Sequence, residues 1–444
     1  MLIVQMQVLL ITGHSGKGFE HFFGFLGSQD DQYKTRLIEE DVHATPDGRH
    51  FSEQITDKAI SFISKQQAAA PGKPFFLYYS PGATHAPHQV PDKWRDIYKG
   101  KFDKGWDWYR DQVIAQQKKL GVIPKDAVLP ERNPNIKAWA SLSADEQKLY
   151  ARFFEVYAAY LTYTDYEIGR LISFLKEKKL YDNTLIVTII GDNGASKEGS
   201  DNGNIDQSIF SPNAIAGKRL ADNLAKIDLI GKPEGIEVNY PLGWAQATNT
   251  PFRFWKTDAH SEGGTHNPLI ITWPAKIKQA GLRNQYGHVI DILPTTLELI
   301  GLKAPEKIRE IQQDTIQGIS LAYSFNNADA ASKHNTQYYY IFGSRAIYKD
   351  GWKAAFAFEP KVPLLFNNYS VETPGANEWK LYNIEKDFNE RTDLSKKYPQ
   401  KLEELKALFE EEARRNNLYP LITWDDVIQG ALKQRQQQAQ NKHQ

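Results

Sequence analysis

Two short runs of apolar residues, each followed at once by polar residues, predict two buried strands. The first run covers 75–79, and the second covers 185–190, where β-branched side chains predominate. Short apolar runs without alternation are typical of strands that are covered on both faces. The second run stops abruptly at Gly-Asp-Asn-Gly, residues 191–194. Both strands therefore deliver polar groups at their carboxyl ends.

Segments with helical periodicity flank these two strands. Apolar residues at helical spacing predict a helix over 52–67, and the aromatic and charged stretch 91–140 is interpreted as an inserted helical excursion. Ser143 and Glu146 form a capping box that opens a long helix before the second strand. A strand, a helix and a strand in this order predict a crossover between parallel strands. A further helix is predicted over 287–302.

The sequence pattern of the chain changes near Gln337. Short strands separated by Gly, Asp and Asn turns are predicted at 338–342, 346–348, 352–358 and 379–382. A charged helix follows from about 398 to 415, so we expect a small antiparallel sheet with one covering helix. The predicted organisation is an α/β domain over 1–332, a subdomain over 333–430 and a disordered Gln-rich tail over 431–444.

Composition narrows the chemistry. The 444 residues include no cysteine, which excludes disulfides, thiolate metal sites and a cysteine nucleophile among them. Lys plus Arg and Asp plus Glu number 54 each, so the overall charge favours neither nucleic acid nor an anionic membrane. The apolar segment 1–13 is too short to span a bilayer. A buried first strand, a degenerate signal sequence and a misplaced start of the reading frame all fit that segment.

Asp192 and Asn193 are the first candidate functional residues. In open parallel sheets, ligands bind at the carboxyl ends of the strands, where these two residues lie. A carboxylate beside an amide carbonyl suits a hard cation such as calcium or magnesium rather than zinc. Asp-Asn-Gly is also ordinary turn chemistry after a strand, so both interpretations stay open at this point.

A histidine and a lysine are the next candidates. His85 lies in the Pro/Gly-rich turn after the first strand, where its imidazole is not needed for packing, and His88 has a weaker claim. Lys256 follows an aromatic run and precedes a glycine pair, so a partly dry pocket would let its ammonium bind an anion. A structural histidine and a solvated surface lysine are the alternatives. His260 and His266 rank lower.

Five short motifs occur in one order along the chain. They are Pro81-Gly-Ala-Thr-His-Ala-Pro-His, Gly191-Asp-Asn-Gly-Ala-Ser, Thr250-Pro-Phe, Trp273-Pro-Ala and His288-Val-Ile-Asp-Ile-Leu-Pro-Thr. Each motif is weak alone, but together, over 18–418, they resemble the formylglycine-dependent sulfatases, in particular the bacterial arylsulfatase branch. The resemblance implies an alkaline-phosphatase-like α/β fold, with a mixed sheet flanked by helices and a smaller C-terminal α+β subdomain.

The resemblance also implies roles for four residues. Asp192 and Asn193 match the second pair of calcium ligands of the family. His85 matches the histidine near the leaving-group oxygen, and Lys256 matches the lysine that contacts the sulfate. Cleavage of a sulfate ester builds negative charge on its oxygens, so Ca2+ and Lys256 would stabilise that charge while His85 donates the proton. The implied partner is a small-molecule sulfate ester, with no nucleic acid and no membrane.

The chain departs from the family pattern before Gly18. The family begins with a strand that ends in two aspartates. It continues with a Cys/Ser-x-Pro/Ala-x-Arg motif, whose first residue becomes formylglycine, and then with Lys and His near Gly-Lys-Trp-His. None of these is present, and Gly13-His-Ser-Gly-Lys17 is a poor substitute for the last. We therefore expect a weak calcium half-site, no formylglycine and no hydrolysis of aryl sulfates by this polypeptide alone.

Three hypotheses account for the departure. The first is an arylsulfatase whose first stretch is missing from the gene model or fragment. The second is a non-catalytic sulfatase-like protein that binds sulfated ligands, or a partner chain through the exposed edge. The third is a phosphate-ester hydrolase of the same superfamily. In each case the central sheet would lack its first strands and expose an apolar edge. The branch that the chain resembles implies the bacterial periplasm or cytoplasm.

Overall fold

The computed structural model describes residues 17–206, 219–361, 376–430 and 433. The predictions for segment 1–13 and for nearly all of the tail 431–444 lie outside the described residues.

The predicted helices form. The α-helices that build the core and position the site are α1 (Phe51–Ala69), α2 (Asp92–Arg95), α3 (Gly105–Leu120), α4 (Ala144–Glu177), α5 (Arg219–Ala225), α6 (Leu242–Thr248), α7 (Glu262–Thr265), α8 (Ile292–Ile300), α9 (Ala322–Phe325) and α10 (Pro399–Arg415). The capping box of Ser143 and Glu146 opens α4 as predicted, and Gly301 ends α8 with a φ of +74°. The excursion 91–140 contains α2 and α3, as expected, whereas 121–138 is not helical.

The strands of the described residues form four small sheets. Their bounds are β1 (Phe23–Gly24), β2 (Ile38–Glu39), β3 (Val42–His43), β4 (Ile186–Ile189), β5 (Leu269–Thr272), β6 (Lys307–Ile308), β7 (Ile311–Gln312), β8 (Thr336–Ile341), β9 (Ser344–Lys349), β10 (Trp352–Phe356) and β11 (Trp379–Asn383). Strands β1 to β3 and the pair β6–β7 were not predicted, because strands of two residues are too short to show a period.

The predicted parallel crossover is not formed among the described residues. Strand β4 pairs antiparallel with β5, with Ile186 opposite Thr272. The stretch 75–79 is not a strand, and its backbone makes no hydrogen bond to other described residues. The predicted burial on both faces is also wrong: Phe76 is 74% exposed and Ile189 is 47% exposed. One face of each segment packs on α1 and α4, whereas no described element covers the other face.

The C-terminal sheet matches its prediction. Strands β8, β9, β10 and β11 form an antiparallel meander in the order β11-β10-β9-β8. Helix α10 covers one face, where Leu405 and Phe409 pack on Ile347 and Leu381. The exact domain division at 332/333 stays a prediction.

The main core surrounds the first half of α4. Phe154 stacks on Trp244 of α6, with ring centroids 3.9 Å apart, and Trp106 and Trp139 pack at its edge. Among the described residues, no helix combines the length and the apolar character that crossing a membrane requires. The core fixes α6, and therefore the start of the loop that carries Lys256.

Candidate active site

Three loops meet at the candidate site. We call residues 81–90 the histidine loop, 191–199 the strand-end loop and 250–266 the lysine loop. The strand-end loop follows β4, and the lysine loop leads into β5. Since β4 and β5 are paired, the two loops start from the same end of the same small sheet.

Glycines let the strand-end loop and the lysine loop interlock. The Gly194 N–H donates to the Gly264 carbonyl at 3.2 Å. A Cβ at Gly194 would lie 1.9 Å from the Gly263 carbonyl oxygen, and one at Gly263 would lie 2.2 Å from that of Phe254. Only glycine permits backbones to approach this closely. The glycine pair therefore serves backbone packing.

Asn249 fastens the two loops with its side chain. Its Oδ1 accepts from the Ala195 N–H at 2.9 Å, and its Nδ2 donates to the carbonyls of Phe254 and Gly263 at 2.5 and 2.6 Å. The Lys256 N–H then donates to the Ala195 carbonyl at 3.0 Å. The backbone of Lys256 is thereby held directly against the strand-end loop.

The Lys256 ammonium contacts His85. Its Nζ lies 3.3 Å from His85 Nε2 and 3.0 Å from Glu198 Oε1. The Lys256 side chain is 22% exposed, so it is neither a solvated surface lysine nor sealed from substrate. The structure thus brings together two of the four residues predicted from the sequence.

These contacts determine the tautomer of His85. Its Nδ1 lies 3.0 Å from the Ala86 carbonyl, which only accepts, so Nδ1 carries the proton. An ammonium only donates, so Nε2 accepts from Lys256. His85 is therefore neutral in this arrangement, with its Nε2 lone pair directed at the lysine. Nε2 cannot act as a proton donor until Lys256 turns away and a second proton arrives.

The sequence analysis did not single out Glu198 and Glu237. Glu198 Oε2 accepts from Ser196 Oγ at 3.0 Å, and Glu237 Oε2 accepts from Gln29 Nε2 at 3.3 Å. Burial raises the pKa of the Glu237 carboxyl, and the neighbouring Glu198 charge raises it further. Glu198 follows the Asp-Asn-Gly turn by only a few residues, and this was the one sequence signal for its position. The partner lysine is too distant in sequence for the pair to be predicted.

Asp192 and Asn193 lie on the strand-end loop. Within the part of the chain that the structure describes, neither makes a hydrogen bond or an ion pair with His85 or Lys256. Asp192 is exposed, and its Oδ1 accepts from Asn193 Nδ2 at 2.6 Å. The Asn267 side-chain oxygen accepts from the Asn193 N–H at 2.9 Å, with the Asn267 amide oriented so that its NH2 group donates to the Asn193 carbonyl.

This donor set does not fit a complete calcium site. Calcium takes about six to eight oxygen ligands, whereas Asp192 and Asn193 offer one carboxylate and one amide oxygen. Within the described ranges, no group of three or more acidic or histidine side chains is arranged to hold a metal. We derive no chemical step through calcium.

The lower-ranked histidines take structural positions. His88 is buried among tyrosine rings, and burial lowers its pKa to about 3. Burial also lowers the pKa of His260 to about 4. His266 Nδ1 lies 2.8 Å from Glu262 Oε2, and the His266 ring stacks on Phe252. Among these histidines, His85 is the one that reaches Lys256.

Comparison with known families identifies the chain. The sulfatase family model matches residues 9–302, which is more than half of the chain. The chain belongs to the sulfatase family. A second model, for the C-terminal region of N-sulphoglucosamine sulphohydrolase, matches residues 252–416 and so includes the lysine loop and the C-terminal sheet.

Curated sulfatases are similar over much of the chain. An uncharacterized sulfatase of Schizosaccharomyces pombe is 30% identical over 80% of this chain and 59% of its own length. An arylsulfatase of Klebsiella aerogenes is 27% identical over 69% of this chain and 65% of its own length. An N-acetylglucosamine-6-O-sulfatase of Bacteroides thetaiotaomicron is 22% identical over 90% of this chain. The chain spans less than two thirds of the length of the first two.

Solved structures confirm the alkaline-phosphatase-like α/β fold with a C-terminal subdomain. The crystal structure of the protein Ps i-CgsB has a TM-score of 0.56 at 21% identity, and it covers 94% of this chain and 71% of that one. A second structure, in complex with D-glucosamine-2-N,6-O-disulfate, has a TM-score of 0.52 at 20% identity, covering 91% of this chain and 77% of its own. These similarities establish the fold.

Proposed function

We propose that this sulfatase-family chain binds the sulfate group of a small-molecule sulfate ester, of the arylsulfatase type, between Lys256 and His85. The observation that carries the proposal is the 3.3 Å contact between Lys256 Nζ and His85 Nε2, made by residues from two distant loops. The name of the Klebsiella aerogenes relative supports the arylsulfatase assignment.

The two side chains divide the work of holding the ester. Lys256 binds the equatorial sulfate oxygens, because a partly buried ammonium attracts an anion more strongly than a solvated one does. As Lys256 turns to the sulfate, His85 Nε2 is released beside the bridging oxygen. There Nε2 can take a proton from solvent and donate it in a hydrogen bond to that oxygen, while Nδ1 stays hydrogen-bonded to the Ala86 carbonyl.

Two carboxylates near this contact favour a sulfate ester over a phosphate ester. Glu198 pairs with Lys256, and Glu237 lies close enough to Glu198 for their charges to repel. A sulfate monoester carries one negative charge, whereas a phosphate monoester carries nearly two near neutral pH. Like charges at close range repel, so the dianion is penalised more than the monoanion.

We further propose that these 444 residues do not hydrolyse the ester by themselves. They contain no cysteine and no Ser-x-Pro/Ala-x-Arg sequence, so the precursor of formylglycine is missing from them. The site then acts as a binding site for the sulfate group.

Calorimetric titration of the full chain with p-nitrophenyl sulfate, a monoanionic sulfate ester, tests the binding step. We expect saturable binding that Lys256→Met removes and that Lys125→Met, which changes an exposed lysine outside the site, leaves unchanged. Equal binding by wild type and Lys256→Met would contradict the proposal.

An assay with p-nitrophenyl sulfate and p-nitrophenyl phosphate tests the chemistry, and we expect no turnover of either by the purified chain. Hydrolysis of the sulfate that Asp192→Ala abolishes would show that the chain does catalyse the reaction.

A further inference from the structure

We infer that the Glu198 carboxylate is an internal counter-ion, which an incoming sulfate group must displace from Lys256. This inference rests on the proposed function and specifies how the anion enters. Glu198 Oε1 lies 3.0 Å from Lys256 Nζ, within the space that a sulfate oxygen bonded to that ammonium would take.

The ion pair uses most of the donor capacity of Lys256. An ammonium has three N–H bonds, and here one points to Glu198 and one to His85. A sulfate oxygen that took only the third N–H would face the Glu198 carboxylate at close range. Because like charges at that distance repel, full engagement of Lys256 requires Glu198 to leave.

Electrostatics keeps Glu198 ionised in the sulfate-free chain. Burial alone would raise its pKa, but the charge and hydrogen bond of Lys256 bring the pKa below its usual value, with help from the hydrogen bond of Ser196. The other titratable groups that face Glu198 are Glu237 and Tyr240, on the segment packed against the strand-end loop.

Displacement is a side-chain rotation rather than a loop opening. The Glu198 N–H donates to Ser196 Oγ at 3.2 Å, and Ser196 Oγ in turn accepts from Asn239 Nδ2 at 3.3 Å. A Cβ at the next residue, Gly199, would lie 1.9 Å from the Tyr240 carbonyl oxygen, so this backbone is packed against its neighbour. The Glu198 side chain is 28% exposed and has solvent to rotate into.

The exchange couples sulfate binding to protons. Once sulfate holds Lys256, Glu198 loses the cation that kept its pKa low and gains a nearby anion, so its pKa rises. Glu198 then takes up a proton when the pH lies between its two pKa values. Sulfate affinity should therefore increase as the pH falls through that window, in proportion to the proton taken up.

The test is calorimetry of p-nitrophenyl sulfate binding by the full chain, at constant ionic strength, in buffers of different ionisation enthalpy. We compare wild type, Glu198→Gln and Glu234→Gln, the last of which removes the same charge from an exposed position. We expect Glu198→Gln to bind the ester on the order of tenfold more tightly at pH 7. In titrations repeated from pH 7 down to acidic pH, it should take up fewer protons on binding than wild type. Glu234→Gln should match wild type in both.

Each outcome decides the question, and circular dichroism confirms that the variants fold. Repeating the comparison in a His85→Gln background removes any proton uptake by His85, so the difference that remains isolates Glu198. Equal ester affinity and equal proton uptake in wild type and Glu198→Gln would overturn the inference while leaving the proposed function intact. Absence of ester binding in both would overturn the proposed function and the inference with it.

Discussion

At the scale of single residues, the direction of one hydrogen bond changes the role expected of His85. The resemblance to sulfatases implies a proton donor, yet here Nε2 accepts from Lys256 while Nδ1 donates to the Ala86 carbonyl. A tautomer depends on the partners of both ring nitrogens, which no sequence pattern encodes.

Residue type nevertheless predicted much of the site. The rigid turn after an apolar run predicts a free imidazole at His85, and the aromatic run before Lys256 predicts a partly dry ammonium; the structure places the two side chains in contact. Asp192 and Asn193 are predicted from their position after a strand, but they lie outside that contact, and their side chains are hydrogen-bonded to each other. Glu198 was missed because its role comes from a distant partner.

At the scale of elements, backbone packing between two loops aligns the candidate site. Gly194 touches the Gly263 carbonyl, and the Asn249 side chain bonds both loops. The sequence shows a glycine pair after Lys256. It does not show which backbone the pair contacts, because that contact joins loops far apart in the chain.

Replacement of Gly194 by alanine tests this packing. The new Cβ would overlap the Gly263 carbonyl, so we expect destabilisation of about 1 to 3 kcal/mol and weaker sulfate binding. Urea unfolding and calorimetry measure the two effects. The matched control is Gly169→Ala in α4, where nothing lies within 4 Å and alanine should stabilise by about 0.5 to 1 kcal/mol. Unchanged stability and binding in Gly194→Ala would contradict the account.

Local patterns predicted helices and the C-terminal strands well, and the central strands poorly. The capping box and the helical period of α4 are local, and so is the alternation of strands and turns from 336 onward. A strand at 75–79 needs a hydrogen-bonded neighbour, and none of the described segments supplies one. The segment remains an apolar stretch with one face packed and the other exposed.

At the scale of the whole molecule, a buried ion cluster joins the C-terminal sheet to the lysine loop. Lys353 of β10 is fully buried, with its Nζ 2.7 Å from both Glu262 Oε1 and Glu390 Oε1. Glu390 Oε2 also accepts from Ser261 Oγ and from the Glu262 N–H. The C-terminal sheet therefore helps to hold the loop that carries Lys256.

Replacement of Lys353 by methionine should leave two buried carboxylates without their cation. We expect a loss of about 3 to 5 kcal/mol in the free energy of unfolding, measured with urea. Lys401→Met, which breaks an exposed ion pair with Glu404 on α10, should cost less than about 1 kcal/mol. Similar effects of both substitutions would show that the buried cluster has no special part in joining the two regions.

The central claim is that a sulfate group binds between Lys256 and His85. Titration of the ¹⁵N-labelled full chain with p-nitrophenyl sulfate, at constant ionic strength, tests it most directly, with the His85 imidazole signals assigned through their loss in His85→Gln. We predict a saturable shift of Nε2 as Lys256 turns from the ring to the anion. Nδ1 should stay protonated, the buried His88 should not respond, and Lys256→Met should abolish the change. A His85 Nε2 signal that does not shift when the ester is added, or that shifts equally in Lys256→Met, would contradict the account.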